Sequence, residues 1–315
     1  MVLSQRLNEL KDKVAVITGG TSGIGLGIAQ TFVDAGMKVA VTGTNRANIA
    51  TALKCFDDGN LADRVHAIRV DVTDRVGMEA ASAEVIDIFG KIHVLVANAG
   101  VIIPAALTET SYADWDWVLN VNLTGAFNSV KVFLPYIRSH GEGGHIVATS
   151  SIFGLFTPSS AGSAAYSVSK FAMVGMIEAL RTELKDSNIG ASVFCPGWVT
   201  SNLPLTSRSK YSGNPVDAGF PDEATKRNEG SWDELEIAAR SAGELLLRGL
   251  RNNDLYIHTH AEFKSLIDDK YQTIVASIPE DRHLPERRRA YAEDMRIHSI
   301  YTSERTSQSM PARKS

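Results

Sequence analysis

Short runs of apolar, largely β-branched residues alternate along the chain with longer stretches of helical period. The runs fall at residues 14–18, 38–42, 64–70, 92–97, 144–150 and 191–195, with a possible seventh at 254–258. None alternates inside and outside as a half-solvated strand would, so each reads as a strand covered on both faces. Strands of that kind separated by helices predict an α/β fold, a doubly wound parallel sheet of about seven strands. The longest helical stretches are 115–138 and 164–186, and Gly190 stands where it would end the second.

The pattern breaks at 201–230, where three prolines and three glycines interrupt the period; a stretch this long without an element predicts a lid. Helices resume at 234–250, 262–277 and 285–298, and the residues from 303 on read as a frayed tail. The run Arg287-Arg288-Arg289 has Glu286, Glu293 and Asp294 beside it and reads as a solvated helix face.

Composition narrows the class. The 315 residues are 44% hydrophobic and 22% charged, a globular mix that excludes disordered and fibrous chains. Lys plus Arg is 32 against 36 for Asp plus Glu, and a net charge of −4 argues against a nucleic-acid partner. The only cysteines, Cys55 and Cys195, make no disulfide framework, and no apolar run approaches the ~18 residues of a membrane span. A cytoplasmic protein with no membrane partner is expected.

The first strand runs straight into Thr18-Gly19-Gly20-Thr21-Ser22-Gly23-Ile24-Gly25 and a helix. Such a turn lets the backbone approach a pyrophosphate and aims free helix N–H groups at it, so dinucleotide binding is expected here. The second strand ends in Gly43-Thr44-Asn45-Arg46, with no carboxylate to pair with ribose hydroxyls, which favours NADP(H) over NAD(H). Arg46 could bind a phosphate bidentately or be a first-turn surface cation of the next helix. Asp71-Val72 suits the adenine amino group, or Asp71 is a plain helix cap.

Tyr166 and Lys170 stand four apart on one helix face, and an ammonium beside a phenol draws its pKa down toward the working range. Ser150-Ser151 end the fifth strand on the carboxyl edge of the sheet, where open α/β sheets bind ligands. With Asn98-Ala99-Gly100, Asn122-Leu123-Thr124-Gly125 and Pro196-Gly197 in order, residues 12–203 resemble the short-chain dehydrogenase/reductase family.

The resemblance implies a Rossmann-type catalytic domain over 1–260 with a lid near 201–230, and a helical extension over 261–315. It implies that Tyr166 is the acid/base, that Ser151 steadies the substrate oxygen, with Ser150 the alternative, and that Lys170 binds the nicotinamide ribose. Asn122 would anchor a relay water, although a polar residue in mid-helix can equally face solvent. The backbone of Asn98, Ala99 and Gly100 would lie along the cofactor, with Thr18 tying the region together. Pro196, Gly197 and Val199 would meet the carboxamide, and Ser201 replaces the family's usual Thr.

Ile103, Phe153, Phe156, Trp198 and Leu203 should ring the nicotinamide, which favours a neutral hydrophobic alcohol or ketone. In Asp114-Trp115-Asp116-Trp117-Val118 and in its long C-terminal part the chain is similar to bacterial family members that oxidise benzylic alcohols. The expected activity is NADP(H)-dependent interconversion of an aromatic secondary alcohol and its ketone. The alternatives are an NAD-dependent enzyme of that substrate class and a non-catalytic NADP-binding regulator. Apolar stripes on the two long helices point to a homodimer, with a tetramer also open.

Overall fold

The seven strands join one parallel sheet in the computed structural model, which describes residues 9–57, 59–157, 162–213, 220, 236–279 and 284–309. They are β1 (Val14–Ile17), β2 (Lys38–Gly43), β3 (Val65–Arg69), β4 (Val94–Ala97), β5 (Gly144–Thr149), β6 (Ile189–Cys195) and β7 (Tyr256–His258). The order β3-β2-β1-β4-β5-β6-β7 reverses direction between β1 and β4. That reversal opens a crevice at the carboxyl ends of the two strands.

Among the described residues the helices are α1 (Gly23–Asp34), α2 (Arg46–Lys54), α3 (Arg75–Phe89), α4 (Tyr112–Leu119), α5 (Gly125–Ser139), α6 (Ala164–Glu183), α7 (Leu203–Lys210), α8 (Ala239–Asn252), α9 (Lys264–Ala276), α10 (Glu286–Ile297) and α11 (Ile300–Ser309). Successive strand residues point to opposite faces, so each strand feeds two cores. Val14, Val16 and Ala40 pack with Met78 of α3, Phe133 of α5 and Ile177 of α6. Ala15, Ile17, Val39 and Val41 pack with Phe32 of α1 and Leu246 of α8. Being apolar on both faces is what removed the alternation from the strand sequences.

Four expectations change. The helix over 115–138 is interrupted: a π-helical turn, Asn120–Thr124, separates α4 from α5. Gly190 does not end α6, which stops at Glu183; it lies inside β6, where a Cβ would collide with His145 and Asn253. The lid stretch begins with α7, whose Pro204 sits in the first turn, where its missing N–H costs nothing. The lid's residues 214–219 and 221–230, and 234–235 of the next expected helix, lie outside the described residues.

The tail from 303 is the fourth. It continues α11 to Ser309, with Ser299 accepting from Thr302 N at 3.2 Å and Glu304 pairing with Arg181 of α6 at 2.5 Å. Helices α9 and α10 bury no residue fully, yet Lys270 of α9 donates to Leu155 O at 2.7 Å and stands 4.1 Å from the Phe171 ring. Arg287, Arg288 and Arg289 are exposed on α10.

Candidate active site

A cavity of about 550 Å³ follows the crevice at the carboxyl ends of the strands. Its floor begins at the glycine turn after β1. Gly19 has φ +64°, in the left-handed region, and a Cβ there would stand 2.9 Å from Ala99 Cα. Ser22 takes the N-cap position of α1 but makes no side-chain cap hydrogen bond, so the first N–H groups of α1 stay open to the cavity. Gly19, Thr21, Ser22, Gly23, Ile24 and Gly25 all line it.

Thr18 does not line the cavity; it is buried beneath it. Its hydroxyl accepts from Asn98 N at 3.0 Å and Ala99 N at 3.2 Å, and Asn98 Nδ2 donates to Thr18 O at 3.1 Å, which locks the β4 end to the β1 end. Asn98, Ala99 and Gly100 lie along the wall.

At the β2 end, Thr44 and Asn45 line the cavity and Arg46 does not. Asn45 caps α2, accepting from Ala47 N at 2.8 Å and Asn48 N at 3.1 Å, and this cap leaves Arg46 exposed at the first helical position. Asn48, which the sequence did not single out, faces the cavity instead. A Cβ on Gly43 would meet Thr21 Oγ1 at 2.6 Å, so an acidic side chain has no room here unless Thr21 moves. Asp71 and Val72, just after the neighbouring β3, line it too, with Asp71 Oδ1 accepting from Thr73 N at 2.9 Å.

Toward the middle of the sheet, α6 delivers Tyr166 and Lys170 to the cavity, one turn apart. Lys170 Nζ donates to Thr149 O at 2.8 Å and stands 5.3 Å from the Tyr166 ring centre. Burial pushes Lys170 down to about 7. Burial also pushes Tyr166 up to about 12, against the pull of the Ser151 hydroxyl hydrogen-bonded to it. Burial dominates the phenol, and the lowering expected from its ammonium neighbour does not show in this structure.

Ser150 and Ser151 divide sharply. Ser150 Oγ donates to Lys170 O at 2.8 Å and is spent on holding α6, whereas Ser151 is the residue at the phenol. Asn122 is buried behind this group in the π turn. Its Nδ2 donates to Val101 O at 3.0 Å and Ser169 Oγ at 2.9 Å, and its Oδ1 accepts from Val101 N at 2.8 Å.

Pro196 and Ser201 line the cavity; Gly197 and Val199 stand behind it, Gly197 N donating to Thr259 Oγ1 at 2.9 Å and Val199 joining the core. Of the residues expected around the substrate, Leu203 lines the cavity. Phe153 and Trp198 do not line the cavity; Phe153 packs edge-on against Trp198 at 5.9 Å and against Phe156 at 6.0 Å, making an aromatic wall next to Ser151. Phe263, from the chain after β7, extends that wall 5.9 Å from Phe156. Two expectations are corrected: Ile103 is 1% exposed among Val101, Val118 and Ala165, and Phe156 is 8% exposed in the main core, so both are mainly packing residues.

The polar atoms suit a nucleotide. Thr42 and Thr149 both line the cavity, and their hydroxyls are buried without a hydrogen-bond partner. Buried hydroxyls are rarely left so, and a ribose or amide group would satisfy them.

A family model for short chain dehydrogenases matches residues 13–212. The chain belongs to the short-chain dehydrogenases. It is 31% identical over 288 residues to a C alpha-dehydrogenase of a Sphingobium species, covering 91% of this chain and 93% of the relative. It is 30% identical to a CLA biosynthesis dehydrogenase/reductase of Lactiplantibacillus plantarum, over 88% of this chain and 98% of that one. A short chain dehydrogenase/reductase from Burkholderia phymatum, solved in complex with NAD, superposes with a TM-score of 0.74 at 27% identity, over 88% of this chain and 99% of the other. This short-chain dehydrogenase is thus an oxidoreductase acting on CH–OH or C=O groups with NAD(P). Among the described residues no helix is long and apolar enough to cross a membrane.

Proposed function

We propose that the chain interconverts a hydrophobic, aromatic secondary alcohol and its ketone, using NADP(H), as a cytoplasmic enzyme. The observation that carries the chemistry is the Tyr166 phenol, held by Ser151 and backed by Lys170, in the same crevice as the open start of α1. When bound, the nicotinamide supplies or accepts a hydride. Tyr166 exchanges the proton with the substrate oxygen, and Ser151 positions that oxygen. Lys170 keeps donors to spare beyond Thr149 O for ribose hydroxyls. The side-chain amide of Asn122 is engaged with Val101 and Ser169, so a relay water would donate its hydrogen bond to the backbone carbonyl of that residue.

An aromatic substrate is supported by the wall of Phe153, Trp198 and Phe263 and by the likeness to a C alpha-dehydrogenase. NADP(H) is supported by Gly43, where Thr21 fills the space a ribose-binding carboxylate would need. NAD is the second reading, favoured by the NAD-bound relative. Incubation with a panel of aryl ketones and alcohols and each cofactor, followed by reduced-nicotinamide absorbance, tests both. Turnover of aryl ketones with NADPH well above NADH is expected; no turnover of any aryl pair with either cofactor would reject the reading.

A further inference from the structure

Helix α7 crosses the crevice. Its entry, Ser201, lies beside the start of α1, since a Cβ on Gly23 would stand 3.3 Å from Ser201 Cβ. The helix is fastened at its centre, where the fully buried Ser207 accepts from Ile102 N at 3.0 Å. Beyond its end, Tyr211 packs 5.8 Å from Trp117. Eight residues of helix span about 12 Å, enough to carry the chain from the pyrophosphate end of the crevice over the adenosine half. Leu203, Thr206 and Lys210, at positions three and four apart, turn one face into the cavity.

Lys210 therefore ends up in the cavity that Thr44, Asn48 and Asp71 also line. The Asp71 carboxylate attracts its ammonium, opposing the downward push that burial gives it. Among the described residues that line the cavity the cations are Lys170 and Lys210, and Lys170 is held at the β5 end by Thr149 O. Arg46, the cation first expected for an adenosine phosphate, is outside. A dinucleotide brings a negative charge to this half of the crevice on its adenosine 5′-phosphate, and NADP adds a 2′-phosphate; Lys210 is the described side chain placed to meet them.

We propose that Lys210 is a phosphate-binding residue of the adenosine half of the crevice, brought there by α7. The inference rests on the crevice being a dinucleotide site and is independent of the chemistry at Tyr166. The phosphate is either the 2′-phosphate of NADP or the 5′-phosphate common to both cofactors.

Calorimetric titration of the full-length protein with adenosine, AMP and adenosine 2′,5′-bisphosphate, before and after Lys210→Ala, tests it. A loss of about tenfold or more in nucleotide affinity is expected, with adenosine unaffected and Lys210→Arg close to wild type. The loss should shrink at high salt. A loss with both nucleotides places the ammonium at the 5′-phosphate, and a loss with the bisphosphate alone places it at the 2′-phosphate. Affinities within twofold of wild type for both nucleotides, or an equal loss for adenosine, would overturn the proposal. A wild-type protein that binds none of these ligands, nor NAD or NADP, would instead reject the dinucleotide site itself.

Discussion

Burial decides the protonation of the one phenol at the site. At about 12, Tyr166 is a neutral donor throughout the physiological range, the form that gives a proton to a carbonyl oxygen. Reduction should then be nearly flat in pH from neutral to moderately alkaline, while oxidation, which needs the phenolate, should climb with pH. Rate profiles in the two directions check this, and an oxidation rate indifferent to pH would remove Tyr166 as the proton acceptor. Tyr166→Phe keeps the ring and its packing but loses the exchangeable proton. Turnover should fall about 10²–10⁴-fold, the usual worth of a general acid or base, with cofactor affinity within about threefold. A variant that keeps wild-type turnover would exclude the role.

The π turn shows how an element can be set by a distant contact rather than by local propensity. Asn122 makes three hydrogen bonds there, two with the backbone of Val101, which is 21 residues away. Asn122→Ala leaves a buried N–H and C=O of Val101 without partners, and a loss of about 2–4 kcal/mol in urea-unfolding free energy is expected. A change under about 1 kcal/mol would show that the turn holds itself. The same distinction separates what was legible in the sequence from what was not. The glycine turn and the Tyr166–Lys170 pair depend on spacing within one element, and helix geometry makes such spacing readable. The break at 120–124, the entry of Phe263 into the aromatic wall and the crossing of α7 each depend on partners far along the chain, and Pro204 hid α7 by looking like a breaker. Gly190 misleads for the opposite reason, since a glycine near a helix end is usually a cap. Here it makes room for His145 and Asn253.

Over the whole molecule the two ends of the sheet carry different burdens. Exposed Phe127 on α5 and Val168 on α6 support a dimer through these helices; light scattering should give twice the 34.1 kDa chain mass, and Phe127→Asp should halve it. A wild-type monomer would discard that arrangement. At the edge of the sheet opposite the crevice, Val14 N donates to His93 Nδ1 at 3.1 Å, which leaves Nε2 to donate to Glu142 at 3.0 Å. Lys13 and Lys91 share the same carboxylate and hold it well below the usual range. A proton on His93 Nδ1 would break the Val14 hydrogen bond in a buried place, and burial lowers this imidazole from 6.5 to about 4. The unfolded chain therefore takes up a proton near pH 6.5 and the folded one only near pH 4. Stability from this group is complete above pH 6.5 and declines as pH falls to 4, by as much as about 3 kcal/mol. Denaturant unfolding of the wild type and of His93→Gln across that window should show the decline in the wild type and a flatter curve in the variant. Parallel declines would assign the acid sensitivity to other groups, and because the crevice lies at the far edge, the variant should retain wild-type turnover at neutral pH.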